Sequence, residues 1–190
     1  MSSDTQRLFV LSPGEVYVGE GLQIALQDRP IGRLSLRVPQ DIAKQIRSTN
    51  EVALDMPINR SVVTGTVVSS RLGPDEWLVS MPDNDVANIR EGLTDAFSGI
   101  FHSIVDVSHR NFLISISGPQ APQIINSGCP LDLRDGAFSL DKVTRTVFGK
   151  VEIVLRRSSR DSYQIECWRS FAPYVHGFLT RVARNPHKVS

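Results

Sequence analysis

The sequence predicts an α+β fold built as two similar β-β-α-β-β-α halves, with mostly antiparallel sheets inside and helices packed outside. Three observations carry this. Apolar residues alternate with a period of two in several short runs and recur at three and four residues in a few longer ones. Pro39-Gln40 and Pro119-Gln120 each open a short helix after a pair of strands, and the hairpin patterns at 62–81 and 143–168 correspond in the same way. Identity between the halves is slight, so the repeat is one of pattern. The chain is expected to form one unit over residues 1–190: a polar arm 1–15, a first half 16–99, a second half 100–185 and a loose tail 186–190.

In order, Val16–Leu26 and Ile31–Val38 read as strands joined by Gln27-Asp28-Arg29-Pro30, a turn composition. In the second strand Leu34 and Leu36 share one face, and Arg33, Ser35 and Arg37 take the other. Pro39-Gln40-Asp41 starts a helix with Ile42 and Ile46 four apart, ending near Asn50. Val62–Ser70 and Trp77–Met81 read as strands across a Gly-Pro-Asp turn. After Pro82, Asp83 is placed to cap a helix whose Val86, Ile89, Leu93 and Phe97 form one stripe.

The second half runs through strands Phe101–Val107 and Phe112–Ser117, joined by Ser108-His109-Arg110-Asn111. Pro119 is expected at the first helical position and Gly128 as a left-handed cap. Strands Val143–Arg156 and Ser162–Trp168 follow, with Gly149 marking a bulge or bend. A last helix begins after Ser170 and has Phe171, Val175, Phe178, Leu179 and Val182 on its apolar face. Asn185-Pro186 ends it.

With 41% apolar and 22% charged residues, the chain can bury a sizeable core. Its 21 basic and 20 acidic residues nearly cancel, which argues against a dedicated nucleic-acid binder. The cancellation hides an asymmetry: residues 1–141 hold 11 basic and 17 acidic groups, and 142–190 hold 10 and 3. Solvated faces account for this most simply; the functional reading is oppositely charged partner surfaces. Two distant cysteines make no disulfide framework, no basic-then-apolar start marks a signal peptide, and no apolar run reaches a membrane span. A cytoplasmic chain is expected.

The residues offer little catalytic chemistry. His102, His109, His176 and His187 have no ligand spacing, so no metal site is expected. Gly19-Glu20-Gly21 is half of a dinucleotide fingerprint but sits between strands, where that motif does not work. Asp106, Ser108 and His109 are too close along the chain to converge as a triad, and a turn-stabilising role suits Ser108 and Asp106 better. Asp132 likewise suits a local turn. Cys129, Cys167 and Trp77 read as core. The aromatic and basic cluster near the C-terminus fits a protein–protein interface better than single-stranded nucleic acid. Arg110, Trp168, Arg169 and Tyr174 are its candidate contact residues.

Several segments, in order, carry a resemblance: L-G-P-D-E-W-L at 72–78, D-V-S-H-R at 106–110, S-G-P-Q-A-P at 117–122, G-C-P-L-D-L at 128–133, A-F-S-L at 137–140 and R-S-F-A-P-Y at 169–174. From about Val62 to the last helix the chain resembles the gamma subunits of bacterial heterotetrameric sarcosine oxidases, within the wider aminomethyltransferase-like, folate-domain group. The resemblance implies a small non-catalytic subunit with the fold of the folate-binding domain of aminomethyltransferases. Its partners would be alpha, beta and delta subunits, alpha most directly. The complex would oxidise sarcosine to glycine, forming hydrogen peroxide and, with tetrahydrofolate, 5,10-methylenetetrahydrofolate. FAD, FMN, NAD and tetrahydrofolate would lie on the partner subunits, and no catalytic, cofactor or metal residue is assigned to this chain. Two alternatives stay open: a stand-alone folate-binding or aminomethyl-transferring protein, and the equivalent subunit of a complex acting on another secondary amine such as N-methylglutamate or dimethylglycine.

Overall fold

The computed structural model describes residues 11, 12, 14 and 16–184; most of the anticipated arm and all of the tail lie outside the described residues. A six-stranded sheet has the order β1 (Val16–Gly19), β2 (Leu22–Leu26), β10 (Asn111–Ser117), β13 (Ser162–Trp168), β12 (Val151–Ser159) and β11 (Val143–Phe148). A five-stranded sheet has the order β6 (Arg60–Thr64), β7 (Val67–Arg71), β8 (Glu76–Pro82), β3 (Ile31–Arg37) and β9 (Ser103–Asp106). Their neighbouring strands pair antiparallel throughout. A two-stranded ribbon, β4 (Ser48–Thr49) with β5 (Val52–Ala53), completes the strands. The helices are α1 (Gln40–Ile46), α2 (Val86–Ala96), α3 (Ala121–Asn126) and α4 (Ala172–Arg184).

The α+β class with antiparallel sheets is as the sequence predicts, but three main-sheet strands, not two, stand between the helices of each half, and in the first half the β4–β5 ribbon precedes them. Val62–Ser70 is the hairpin β6–β7, turning at Gly65 (φ 56°), and Val143–Arg156 is the hairpin β11–β12, turning at Gly149 (φ 59°). Each glycine supplies the left-handed turn residue, so Gly149 is neither bulge nor bend. Gly21 (φ 66°) likewise turns β1 into β2, which accounts for the Gly-Glu-Gly segment.

The joints Gln27–Pro30 and Val107–Arg110 do not close hairpins. Each carries the chain from one sheet to the other, so β2 pairs with β10 and β9 pairs with β3. The exchange is reciprocal: Gln27 N–H donates to the Leu113 carbonyl (3.1 Å), and Val107 N–H to that of Arg33 (2.9 Å). At the other edges β6 and β11 meet through Val143 N–H to Asn59 O (3.1 Å) and Ser61 N–H to Asp141 O (2.9 Å). The two units are therefore related by an internal pseudo-twofold, and equivalent residues can be read from strand register.

Buried arginines confirm the relation. Arg71 stacks over Trp77 (4.9 Å) and donates to the carbonyls of Met56 and Pro74 (both 2.7 Å). Arg157 stacks over Tyr163 (5.5 Å) and donates to the carbonyls of Phe138 (2.8 Å) and Arg160. Each side chain ties a hairpin turn to the preceding loop and satisfies carbonyls that burial would otherwise strand.

Two apolar cores lie under the helices. Leu34, Leu36, Trp77, Val79, Ile89, Leu93 and Phe97 pack under α1 and α2, and Ile24, Ile114, Ile165, Tyr163, Val175 and Leu179 under α3 and α4. The Ile89, Leu93, Phe97 stripe is buried as its spacing predicts. Five local readings change. Helix α1 ends at Arg47 (φ 65°), short of Asn50, and the cap position of α2 is held by Asp85, with Asp83 opening the 3₁₀ turn before it. Pro119 stands before the Gln120 cap of α3, whose first turn holds Pro122. Gly128 is not left-handed; a Cβ there would lie 2.8 Å from the Phe148 ring, so close approach selects it. Phe171 sits in a 3₁₀ turn, Arg169–Phe171, ahead of α4, and is 44% exposed.

Candidate functional site

The sheets face each other across a layer that is polar, because the apolar faces of β3, β8, β10 and β13 are spent on the helices. Arg33, between Leu34 and the glycine at 32, is fully buried here. Its Nε donates to Glu166 Oε2 (2.8 Å), Nη1 to the Ile31 carbonyl (3.1 Å) and Nη2 to Gln27 Oε1 (3.3 Å). Asn111 Nδ2 adds a second bond to the same carboxylate oxygen (3.0 Å). Arg156 donates to Ser61 Oγ (2.9 Å) and Gln164 Oε1 (3.0 Å), and burial holds its guanidinium pKa below the usual value, against the pull of Asp141. Arg145 grips both oxygens of Glu76, one at 2.8 Å. These bonds hold the Glu76 carboxyl below its ordinary range despite burial, with the charges of Arg145, Arg37 and Arg110 adding to them.

Two cavities open in this layer, and register makes them pseudo-twofold mates. In the larger, about 280 Å³, Ile31 faces Pro82 and Val68 faces Ser80 across paired strands. In the smaller, about 100 Å³, the equivalent pairs are Asn111 with Trp168 and Val154 with Glu166. The larger is walled chiefly by Pro30, Ile31, Leu78, Met81 and Leu113, with Glu166, Gln164 and Arg156 as its polar groups. In its mate Arg110, Arg145 and Glu152 take up the space and leave little room. One half of the repeat thus keeps an apolar recess where the other is filled by ion pairs.

Ser108 Oγ accepts the Arg33 N–H (2.8 Å) and donates to Asp106 Oδ1 (2.5 Å), so it ties the crossover to β3 as a turn residue. Asp132 Oδ1 accepts the Arg134 N–H (3.0 Å), and the Arg134 guanidinium pulls the carboxyl pKa down to about 2. Cys129 and Cys167 are buried, and desolvation pushes the Cys167 thiol up to about 12. Among the described residues no group of three or more His, Cys, Asp or Glu side chains is placed to hold a metal ion, and no helix is long and apolar enough to cross a membrane.

Of the four interface candidates, Arg110, Trp168 and Arg169 come together, because Asn111 pairs with Trp168 and Arg169 N–H bonds the Arg110 carbonyl (2.9 Å). Tyr174 lies one turn into α4, 6.2 Å from the Phe178 ring. Phe171, which helical spacing places in the core, instead stacks on Trp168 at 6.4 Å between centroids. The inter-sheet cavity escaped sequence reasoning, which set Arg33 with Ser35 and Arg37 on one face of an alternating strand.

The family model for the sarcosine oxidase, gamma subunit family matches residues 40–184. The chain is 29% identical over 131 residues to sarcosine oxidase subunit gamma from Corynebacterium sp. (strain P-1), covering 67% of this chain and 64% of that protein. It is 29% identical over 94 residues to the same subunit from Arthrobacter sp., covering 50% and 45%. The matched span is therefore less than two thirds of those relatives' lengths. Among solved structures, a chain of the heterotetrameric sarcosine oxidase from Corynebacterium sp. U-96 aligns with a TM-score of 0.76 at 20% identity, over 89% of this chain and 87% of that one. The glycine cleavage system aminomethyltransferase T from Bartonella henselae aligns with a TM-score of 0.62 at 12% identity, over 81% and 44%. Both share the fold.

Proposed function

Since the chain belongs to the sarcosine oxidase gamma subunit family, we propose that it is the small, non-catalytic structural subunit of a cytoplasmic heterotetrameric sarcosine oxidase. The match over residues 40–184 carries this reading. In it, alpha, beta and delta subunits are the partners, alpha most directly. FAD, FMN, NAD and tetrahydrofolate are held by those partners, which convert sarcosine to glycine, hydrogen peroxide and 5,10-methylenetetrahydrofolate. The ionisable groups of the inter-sheet layer support a structural role: Arg33 and Arg145 are committed to Glu166 and Glu76 rather than aimed at a substrate. The amine specificity, sarcosine or a relative such as dimethylglycine or N-methylglutamate, then belongs to the partners.

Co-expression tests this. Expressed with its companion chains, the subunit is recovered soluble and in stoichiometric complex; expressed alone it is poorly soluble. A well-behaved monomer that never co-purifies with them contradicts the reading.

A second reading, a stand-alone folate-binding protein, draws on the larger cavity, about 280 Å³, with its apolar walls and the Glu166 carboxylate. This volume sits at the lower edge of the several hundred Å³ typical of small-molecule sites. Titration calorimetry of the isolated chain with tetrahydrofolate decides it: heat saturating at one site favours this reading, and its absence removes it.

A further inference from the structure

The pseudo-twofold supplies an internal control for the surface. Both α2 and α4 are entered the same way: an extended residue, Pro82 (ψ 142°) or Trp168 (ψ 140°), then a 3₁₀ turn, Asp83–Asp85 or Arg169–Phe171, then the helix. The fold therefore places Trp168 where the first half has Pro82, Phe171 where it has Asp85, and Tyr174 where it has Asn88. The first half shows that this corner is built without any aromatic side chain. In the second half all three positions are aromatic and exposed, at 54%, 44% and 44%. Trp168 and Phe171 stack on each other, while the buried face of α4 is completed by Ala172, Val175, Leu179 and Val182 without them.

The charges diverge along with the aromatics. From Asp83 to Phe97 the first half carries four carboxylates and one arginine; from Arg169 to Arg184 the second carries three arginines and no carboxylate. Arg110 is exposed and joins this corner through the Arg110–Arg169 backbone bond. An exposed Trp–Phe stack, with a further exposed Tyr three residues on along the chain and arginines beside it, has the composition of an interface centre, and singly scattered apolar residues do not.

We propose that the face formed by Trp168, Phe171 and Tyr174, with Arg110 and Arg169 at its rim, is where a companion subunit docks, through an apolar patch edged with carboxylates. This rests on the chain being the small subunit of such a complex. The aromatic residues supply the desolvated centre of the contact. The arginines supply steering and make the contact weaken with salt.

The test exchanges the corner for what the repeat already tolerates. In the co-expressed complex, Phe171→Asp/Tyr174→Asn puts the first half's residues at the equivalent places, so folding is preserved, and circular dichroism with thermal unfolding checks that it is. The dissociation rate of the subunit from the purified complex is expected to rise about tenfold or more. Phe101→Ser, at a 92% exposed phenylalanine elsewhere, leaves that rate unchanged. Raising salt from low to about 0.5 M accelerates dissociation of the wild type. A folded double variant that stays bound as tightly as wild type overturns the docking face, and a salt-independent rate overturns its acidic counterpart. Loss of binding to anionic vesicles or single-stranded nucleic acid in the double variant, with assembly intact, assigns the face to another class of partner and overturns it too. A wild-type chain that fails to assemble at all refutes the subunit reading itself, which separates the two failures.

Discussion

Removing Arg33 probes the polar layer that joins the two sheets. Arg33→Ala deletes a fully buried cation and its bonds to Glu166, Ile31 and Gln27. It leaves the Glu166 carboxylate, 11% exposed, held by the neutral Asn111 amide in place of a cation. Breaking one side of such a pair costs about 3–5 kcal/mol, more than the pair is worth in itself, because a desolvated charge is left behind. At a urea m-value of about 2 kcal/mol per molar, the unfolding midpoint falls by about 1.5–2.5 M. Tryptophan fluorescence reports it, since Trp77 is fully buried and Trp168 already half exposed. The double variant Arg33→Met/Glu166→Gln removes both charges and recovers most of the loss, and a cycle with Arg33→Met and Glu166→Gln alone gives a coupling of about 2 kcal/mol or more. A single-variant loss below about 1 kcal/mol, or no recovery in the double variant, refutes the view that this pair is a desolvated tie between the sheets.

Three further outcomes follow from the same structure. Glu76→Gln flattens the acid limb of the stability curve: the carboxyl pKa is lowered from 4.5 in the folded state, chiefly by bonds from Arg145, so its contribution is complete above that value and is lost as pH falls through the folded pKa. Urea midpoints between pH 7 and pH 3 measure the difference. Gly118→Ala costs about 2–3 kcal/mol by the same urea assay, because φ is 113° and the new Cβ would lie 2.4 Å from the Gly21 carbonyl oxygen. Cys167 resists thiol reagents at pH 8 until the chain is unfolded, since burial raises its pKa to about 12; rapid labelling of the native chain contradicts its placement.

What the sequence made legible was local. The stripe of Ile89, Leu93 and Phe97 is an internal property of one helix, and the alternation of Leu34 with Leu36 an internal property of one strand. The hairpins at Gly65 and Gly149 were legible in principle, because runs of that length exceed an ordinary strand and each holds a glycine at its middle. The exchange of β2 and β9 between sheets was not: period-two patterning says which face is buried and is silent on which strand lies alongside. Arg33 looked like a solvated residue for the same reason, since its face meets a second sheet that only the topology brings there. For the candidate surface, Arg110, Trp168 and Arg169 converge because of the Asn111–Trp168 register, a non-local fact. Phe171 kept the spacing of a buried residue, but the 3₁₀ turn before α4 rotates it outward.

Native mass spectrometry of the co-expressed complex shows whether this chain is a stoichiometric subunit. The expected assembly contains one copy of this 21.1 kDa chain beside one copy of each of three companion chains. Fully active companion chains assembled without it, whether or not it is present in the cell, would show that it is not a subunit of the complex.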